Sequence, residues 1–155
     1  MGRLWLRFAL CVYALMYAIC LPLALGIEDS YSDYHSIKPI IFPIITIGVS
    51  FGLWLHRGTE WKIPAFLLIV VACFNNDDWN VVHNTAAILF FISSTYIMVK
   101  DKRFKIFGII SLLVYPFLLI KIPERLFLFE LIQIPILATY HLFRVLYLLK
   151  LKNKL

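Results

Sequence analysis

The sequence predicts an all-α protein: a polytopic transmembrane helical bundle of six spans, with both termini in the cytoplasm. Of its 155 residues, 62% are hydrophobic and 15% are charged. Soluble domains have about 45–50% apolar and about 25% charged residues. Apolar stretches recur from one end of the chain to the other, and charged residues cluster in the short connections between them. Residues 1–155 are therefore predicted to form a single transmembrane domain.

Six apolar stretches account for the predicted spans, given that a membrane-crossing helix needs about 20 residues. In chain order they are residues 4–26, 39–56, 62–74, 80–99, 104–121 and 123–149. The third is short, and an extension to Asp77 would lengthen it. The first follows Arg3 and includes Arg7, a pattern that also occurs in cleavable secretory signals. Its apolar run is long for a signal, so we expect a retained helix; cleavage would leave five spans.

Charge alternates from one connection to the next. Eleven of the fifteen Lys and Arg residues fall on one predicted side, at positions 3, 7, 57, 62, 100, 102, 103, 105, 150, 152 and 154. Most acidic residues fall on the other side. Because positively charged short loops stay in the cytoplasm, both termini are predicted to be cytoplasmic. We therefore expect an integral, multi-pass protein of the bacterial cytoplasmic membrane.

Polar residues that recur inside apolar sequence are the candidates for a site, because they are costly to hold in a membrane. One group is the stretch at 75–84, which separates the third and fourth spans. Another lies in the sixth span, where Glu130, Gln133, His141 and Arg144 follow one helical stripe. Since the outer ends of these spans share a side, we predict a polar pocket at the outer face. Its candidate residues are Asn75, Asn76, Asp77, Asp78, Asn80, His83, Asn84, Glu130 and Gln133, and the secondary candidates are Asp33, His35, His141 and Arg144.

Several functions are compatible with such a pocket. Asn, Asp and Trp side chains suit recognition of a lipid headgroup or sugar. Carboxylates and His are also ligands of catalytic Zn²⁺, which would make the protein a metal-dependent hydrolase acting on a lipid, but the HExxH spacing is missing. The same residues would serve structure alone if Asn and Asp cap a helix and the others bond between helices. A fourth alternative is a non-catalytic subunit of a larger membrane complex.

Membrane lipids are the expected partners, since the basic residues would face anionic headgroups. No cluster of Lys and Arg is dense enough for nucleic acid. Gly48 and Gly52 form a small-residue pair that lets helices approach closely, which leaves open a homodimer or another membrane protein as partner. The sequence implies no cofactor, and a metal ion only under the hydrolase alternative. Trp54 and Trp61 are predicted to lie at the membrane interface, and Tyr115-Pro116 is predicted to kink the fifth span, whose middle lacks a strong polar residue.

A short segment resembles the His-centred helix start of the DRAM/Sfk family of six-span membrane proteins. The likeness rests on the string from Asp78 to Phe91 and covers His83, Asn84, Ala87 and Phe91. That family includes lipid-remodelling factors for GPI anchors, so the resemblance implies a role in lipid handling without implying catalytic residues. The alkaline ceramidase superfamily is a rival resemblance, but its last span has two paired zinc-binding His where this chain has His141 alone.

Overall fold

The computed structural model describes residues 2–26, 34, 40–56, 58–119 and 125–152. In these ranges the chain is helical and contains no strand, which confirms the predicted all-α class. The helices are α1 (Gly2–Leu25), α2 (Ile41–Trp54), α3 (Lys62–Cys73), α4 (Asn76–Lys100), α5 (Lys105–Val114) with its 3-10 continuation (Tyr115–Leu119), and α6 (Arg125–Lys152).

Three of these helices, α1, α4 and α6, are long and apolar enough to cross a membrane. The shorter apolar helices α2 and α3 have 14 and 12 residues. At 1.5 Å per residue they reach about 18–21 Å, less than the ~30 Å hydrocarbon core of a bilayer. The fold is thus compatible with a membrane protein, and the count of six spans stays a prediction.

The six helices pack as a closed ring. Each helix contacts the next one in the chain, and α1 also packs extensively along α6. The contact between α4 and α6 is slight by comparison. This arrangement leaves space in the centre of the ring, where the candidate site lies.

Helix α4 begins four residues earlier than the sequence predicted. The side chain of Asn75 accepts a hydrogen bond from the backbone N–H of Asp78 at 2.8 Å, which caps the helix. Asp77 and Asp78 then fall in its first turn, where negative charge is stabilised by the helix dipole. The backbone leaves helical geometry at Trp79 (φ −129°, ψ 37°). Capping therefore converts most of the predicted polar loop into helix.

The break predicted at Tyr115-Pro116 is confirmed, because the α-helix ends at Val114 and continues as a 3-10 helix. Because the middle of this span lacks a strong polar residue, the sequence predicted a helix that is largely lipid-facing or a packing helix, and the contacts of Ser111 agree with a packing helix. Ser111 is fully buried and bonds to side chains of both neighbouring helices.

Trp61 lies in the core, so its predicted place at a membrane interface is wrong. Its ring is fully buried and packs on His141 and Tyr140, with ring centroids 4.3 Å and 5.7 Å away. Trp54 is exposed, and the Lys62 ammonium lies 4.4 Å from the centre of its ring. The turn between α2 and α3 thus directs one Trp inward and the other outward.

Candidate functional site

A cavity of about 120 Å³ lies inside the ring and is lined by α1, α2, α3, α4 and α6. Apolar side chains such as Leu10, Val49 and Phe90 form most of its wall. Its lining on α1 extends from Arg7 to Tyr17, ten residues or about 15 Å along the helix. The cavity is therefore long and narrow, with polar groups at its two ends.

One end, which we call the His83 end, contains His83, Glu130 and Tyr17. His83 is 1% exposed and Glu130 is 7% exposed. Nδ1 of His83 lies 2.6 Å from the carbonyl oxygen of Phe74. Since a carbonyl can only accept, Nδ1 carries the proton and donates. Two of the residues predicted from sequence are thus brought to one cavity.

The other polar residues at the start of α4 lie outside the cavity lining. Asn75 also donates to Asp78 Oδ2 at 2.8 Å. Asn80 and Asn84 both donate to Oδ1 of Asn76, at 3.0 Å and 3.1 Å. Asp77, Asp78 and Asn80 are exposed. These side chains serve the helix terminus, as the structural alternative expected.

Gln133 belongs to a buried network between α4, α5 and α6. It accepts from the Ser111 hydroxyl at 2.7 Å and donates to the Ser111 carbonyl at 2.9 Å. The same hydroxyl lies 2.6 Å from Oγ1 of Thr95, which is 3.1 Å from the hydroxyl of Tyr115. Gln133 is thus separated from Glu130 and joins helices instead of lining the cavity.

Arg144 also points away from the cavity. Its Nη1 donates to the hydroxyl of Tyr140 at 3.1 Å, and Tyr140 donates to Asp101 Oδ2 at 2.9 Å. Nε of Arg144 lies 3.8 Å from the same carboxylate oxygen. This guanidinium is therefore compensated by a carboxylate at the end of α4. The remaining secondary candidates, Asp33 and His35, lie outside the described residues.

The Arg7 end, as we call the opposite end of the cavity, contains Arg7, His56 and His141. All three are buried, at 5%, 4% and 5% exposure. Nη2 of Arg7 lies 2.7 Å from Nε2 and 3.3 Å from Nδ1 of His56. Nε2 of His56 in turn lies 3.0 Å from Nδ1 of His141. The structure thus joins α1, the turn after α2, and α6 through one polar cluster.

Arg7 and His56 were not among the residues that sequence reasoning selected. Arg7 was assigned to the charged N-terminal segment and His56 to a connection. A signal was nevertheless present on α1, because Arg7, Leu10, Ala14 and Tyr17 recur at helical spacing and share one face. All four line the cavity. Arg3, one turn earlier, is exposed.

His56 lies in the turn that follows α2 and accepts a hydrogen bond from the Arg7 guanidinium, which can only donate. An imidazolium has no free lone pair and cannot accept such a bond. The imidazole of His56 is therefore neutral in this arrangement.

The described ranges contain no group of three or more His, Cys, Asp or Glu residues that could hold a metal ion. Comparison of the chain with protein-family models, with curated proteins and with solved structures found no match. The DRAM/Sfk resemblance therefore stays a prediction.

Proposed function

We propose that this protein is a six-span integral membrane protein, with both termini cytoplasmic, that binds a membrane lipid in its central cavity. The observation that supports this proposal is the central cavity itself, which has apolar walls and buried polar side chains at its ends. Ligand pockets combine these two features, because the apolar wall binds and a few polar groups orient. The His83 end would face the outer side of the membrane, and the Arg7 end would face the cytoplasm.

The cavity has the size expected for part of one alkyl chain. An apolar cavity of ~150 Å³ in another protein stays dry and accepts benzene, which has six carbon atoms. The present cavity, at about 120 Å³, would hold a chain segment of similar size. Lipid binding, remodelling or handling is therefore the functional class that its dimensions favour.

The alternatives have less support. A metal-dependent hydrolase would need a cluster of ligands, and no observation in the described part of the chain favours one. A homodimer through the Gly48–Gly52 pair is weakened because Gly52 already faces α1, where an added Cβ would lie 3.3 Å from Leu10 Cδ1. The alternative that the protein is a non-catalytic subunit of a larger complex can also be tested, because it predicts a protein partner that co-purifies in a fixed ratio.

Native mass spectrometry of the full chain, purified in mild detergent from the membrane in which it was made, tests the proposal. We expect a bound lipid in the wild type and its loss in Ala14→Phe, which fills the cavity from α1. Ala9→Phe is the matched control, because Ala9 lies on the same helix but is exposed. No bound lipid, or equal binding by the two variants, would overturn the proposal. A stoichiometric protein partner without lipid would favour the subunit alternative.

A further inference from the structure

Arg7 differs from Arg144, an arginine of α6, in how its charge is compensated. Arg144 is paired with Asp101. Arg7 is more deeply buried, at 5% exposure, and its hydrogen bonds go to the imidazole of His56. It makes no ion pair with any carboxylate in the described residues. A permanent positive charge therefore lies at the end of an apolar cavity without a negative partner from the part of the chain that is described.

Such an arrangement is costly unless something compensates it. Buried charges in proteins are normally paired, and charged side chains inside membranes mark ligand or ion pathways. Glu130 lines the same cavity, but it lies eleven residues from His141 on α6, or about 16 Å along the helix axis. No carboxylate of the described residues compensates the charge at the Arg7 end, which leaves room for an anionic molecule that enters the cavity.

His141 also has an unpartnered ring nitrogen at this end. A guanidinium can only donate, so His56 accepts from Arg7 through one of its ring nitrogens, which lie 2.7 Å and 3.3 Å from Nη2. The Nε2 atom of His56 lies 3.0 Å from Nδ1 of His141, which uses that nitrogen of His141. Nε2 of His141 is buried with no hydrogen-bond partner in the described residues. A ligand that completes this end would therefore supply a negative charge for Arg7 and a hydrogen-bonding group for His141.

We propose that the Arg7 end of the cavity binds the phosphate monoester headgroup of a single-chain lipid, with Arg7 donating to two phosphate oxygens and Nε2 of His141 forming a hydrogen bond with a third. This inference rests on the proposed function and specifies the ligand class. The alkyl chain would extend from Arg7 toward the His83 end, past Leu10, Ala14 and Leu137, all of which line the cavity.

A singly protonated phosphate monoester meets both requirements at once. Its second pKa is about 6, and burial favours the form with the smaller charge. That form carries one negative charge, which neutralises Arg7. Two of its oxygens can accept from Arg7, and the third can donate to or accept from Nε2 of His141. A carboxylate has only two oxygens, and both would be engaged by Arg7. An alcohol lacks the charge.

Isothermal titration of the purified full chain with three water-soluble probes of equal chain length tests this assignment. Hexyl phosphate should bind at least about tenfold more tightly than either other probe. Hexanoate has no third oxygen for His141, and hexan-1-ol has no charge for Arg7, so each leaves one buried polar group unpaired. Equal affinity for hexanoate would overturn the phosphate headgroup. Equal affinity for hexan-1-ol would overturn the role of the charge altogether.

Substitutions at Arg7 and at Arg3 test where hexyl phosphate binds. Arg7→Gln should lower the affinity for hexyl phosphate at least about tenfold, whereas Arg3→Gln, which removes the same charge one helical turn away on an exposed position, should leave it unchanged. If Arg7→Gln does not fold, Arg7→Lys keeps the charge but cannot bind a phosphate with two parallel N–H groups, and it should weaken binding. Equal effects at positions 3 and 7 would overturn the site.

The two proposals fail separately. If a lipid co-purifies and Ala14→Phe releases it, while hexyl phosphate neither binds nor displaces it, the phosphate site is wrong and lipid binding stands. If hexyl phosphate binds and depends on Arg7, but no lipid co-purifies, the phosphate site stands and the proposed function fails.

Discussion

Buried polar side chains in this protein differ in whether their hydrogen bonds are completed within the chain. Gln133 completes its bonds on Ser111, so it holds helices together. His141 has one ring nitrogen on His56 and the other unpartnered in the described residues, beside the cavity. Both residues lie on the helical stripe recognised in the sixth span. The helical stripe in the sequence identified polar residues that are buried. Whether such a residue joins helices or lies beside the cavity depends on contacts from other helices.

His83 and Glu130 could be located from sequence because each is a titratable residue in apolar surroundings. We expect His83→Ala and Glu130→Gln each to destabilise the protein. If the two side chains interact, the double variant should lose less than the sum by about 0.5 kcal/mol or more. Thermal unfolding of the four proteins in one detergent measures this coupling. Additive losses would show that the two residues act independently.

At the scale of elements, apolar length predicted the number and order of the helices, but capping and packing set their ends. Asn75 caps α4 and thereby draws the polar stretch into a helix. Pro116 marked the end of α5 because it lacks a backbone N–H. The length of an apolar stretch does not predict whether a serine such as Ser111 is buried and hydrogen-bonded, because that depends on the helices that pack beside it.

The contact between α4 and α5 depends on Gly108. A Cβ at this position would lie 2.4 Å from the backbone nitrogen of Val99 and 2.8 Å from the carbonyl carbon of Met98. Because backbone atoms cannot move aside cheaply, we expect Gly108→Ala to destabilise the protein by about 1–3 kcal/mol, the typical cost of overpacking. Thermal unfolding measures the loss.

Gly48→Ala is the control for that substitution, because no atom lies within 4 Å of the added carbon. It should be neutral or stabilise slightly, since Ala favours helix over Gly by about 1 kcal/mol. Equal effects at positions 48 and 108 would show that the close approach of α5 to α4 at Gly108 does not determine the stability of the protein.

For the molecule as a whole, charge alternation predicts the path of the chain through a membrane, but it contains no signal for which helices become neighbours. The ring follows from the packing of α1 along α6, and that packing brings Arg7 close to His141. Sequence analysis therefore selected His83, Glu130 and His141, which line the cavity, but it missed Arg7 and His56, because three distant segments create the Arg7 end together.

The predicted orientation can be tested on the full chain. Green fluorescent protein fused to the C-terminus should fluoresce, because it folds in the cytoplasm, and alkaline phosphatase at the same position should be inactive. The reverse pattern would place the C-terminus outside and would invert the assignment of the cavity ends.

The contact between α1 and α6 also constrains how the molecule is assembled in the cell. Translation completes α1 first and α6 last, so the ring stays open through nearly all of synthesis. During that interval Arg7 lacks His141, which arrives 134 residues later, and the side of α1 that will line the cavity faces whatever surrounds the nascent chain. Insertion machinery that shields an early charged helix until the final one emerges would therefore govern the yield of this protein.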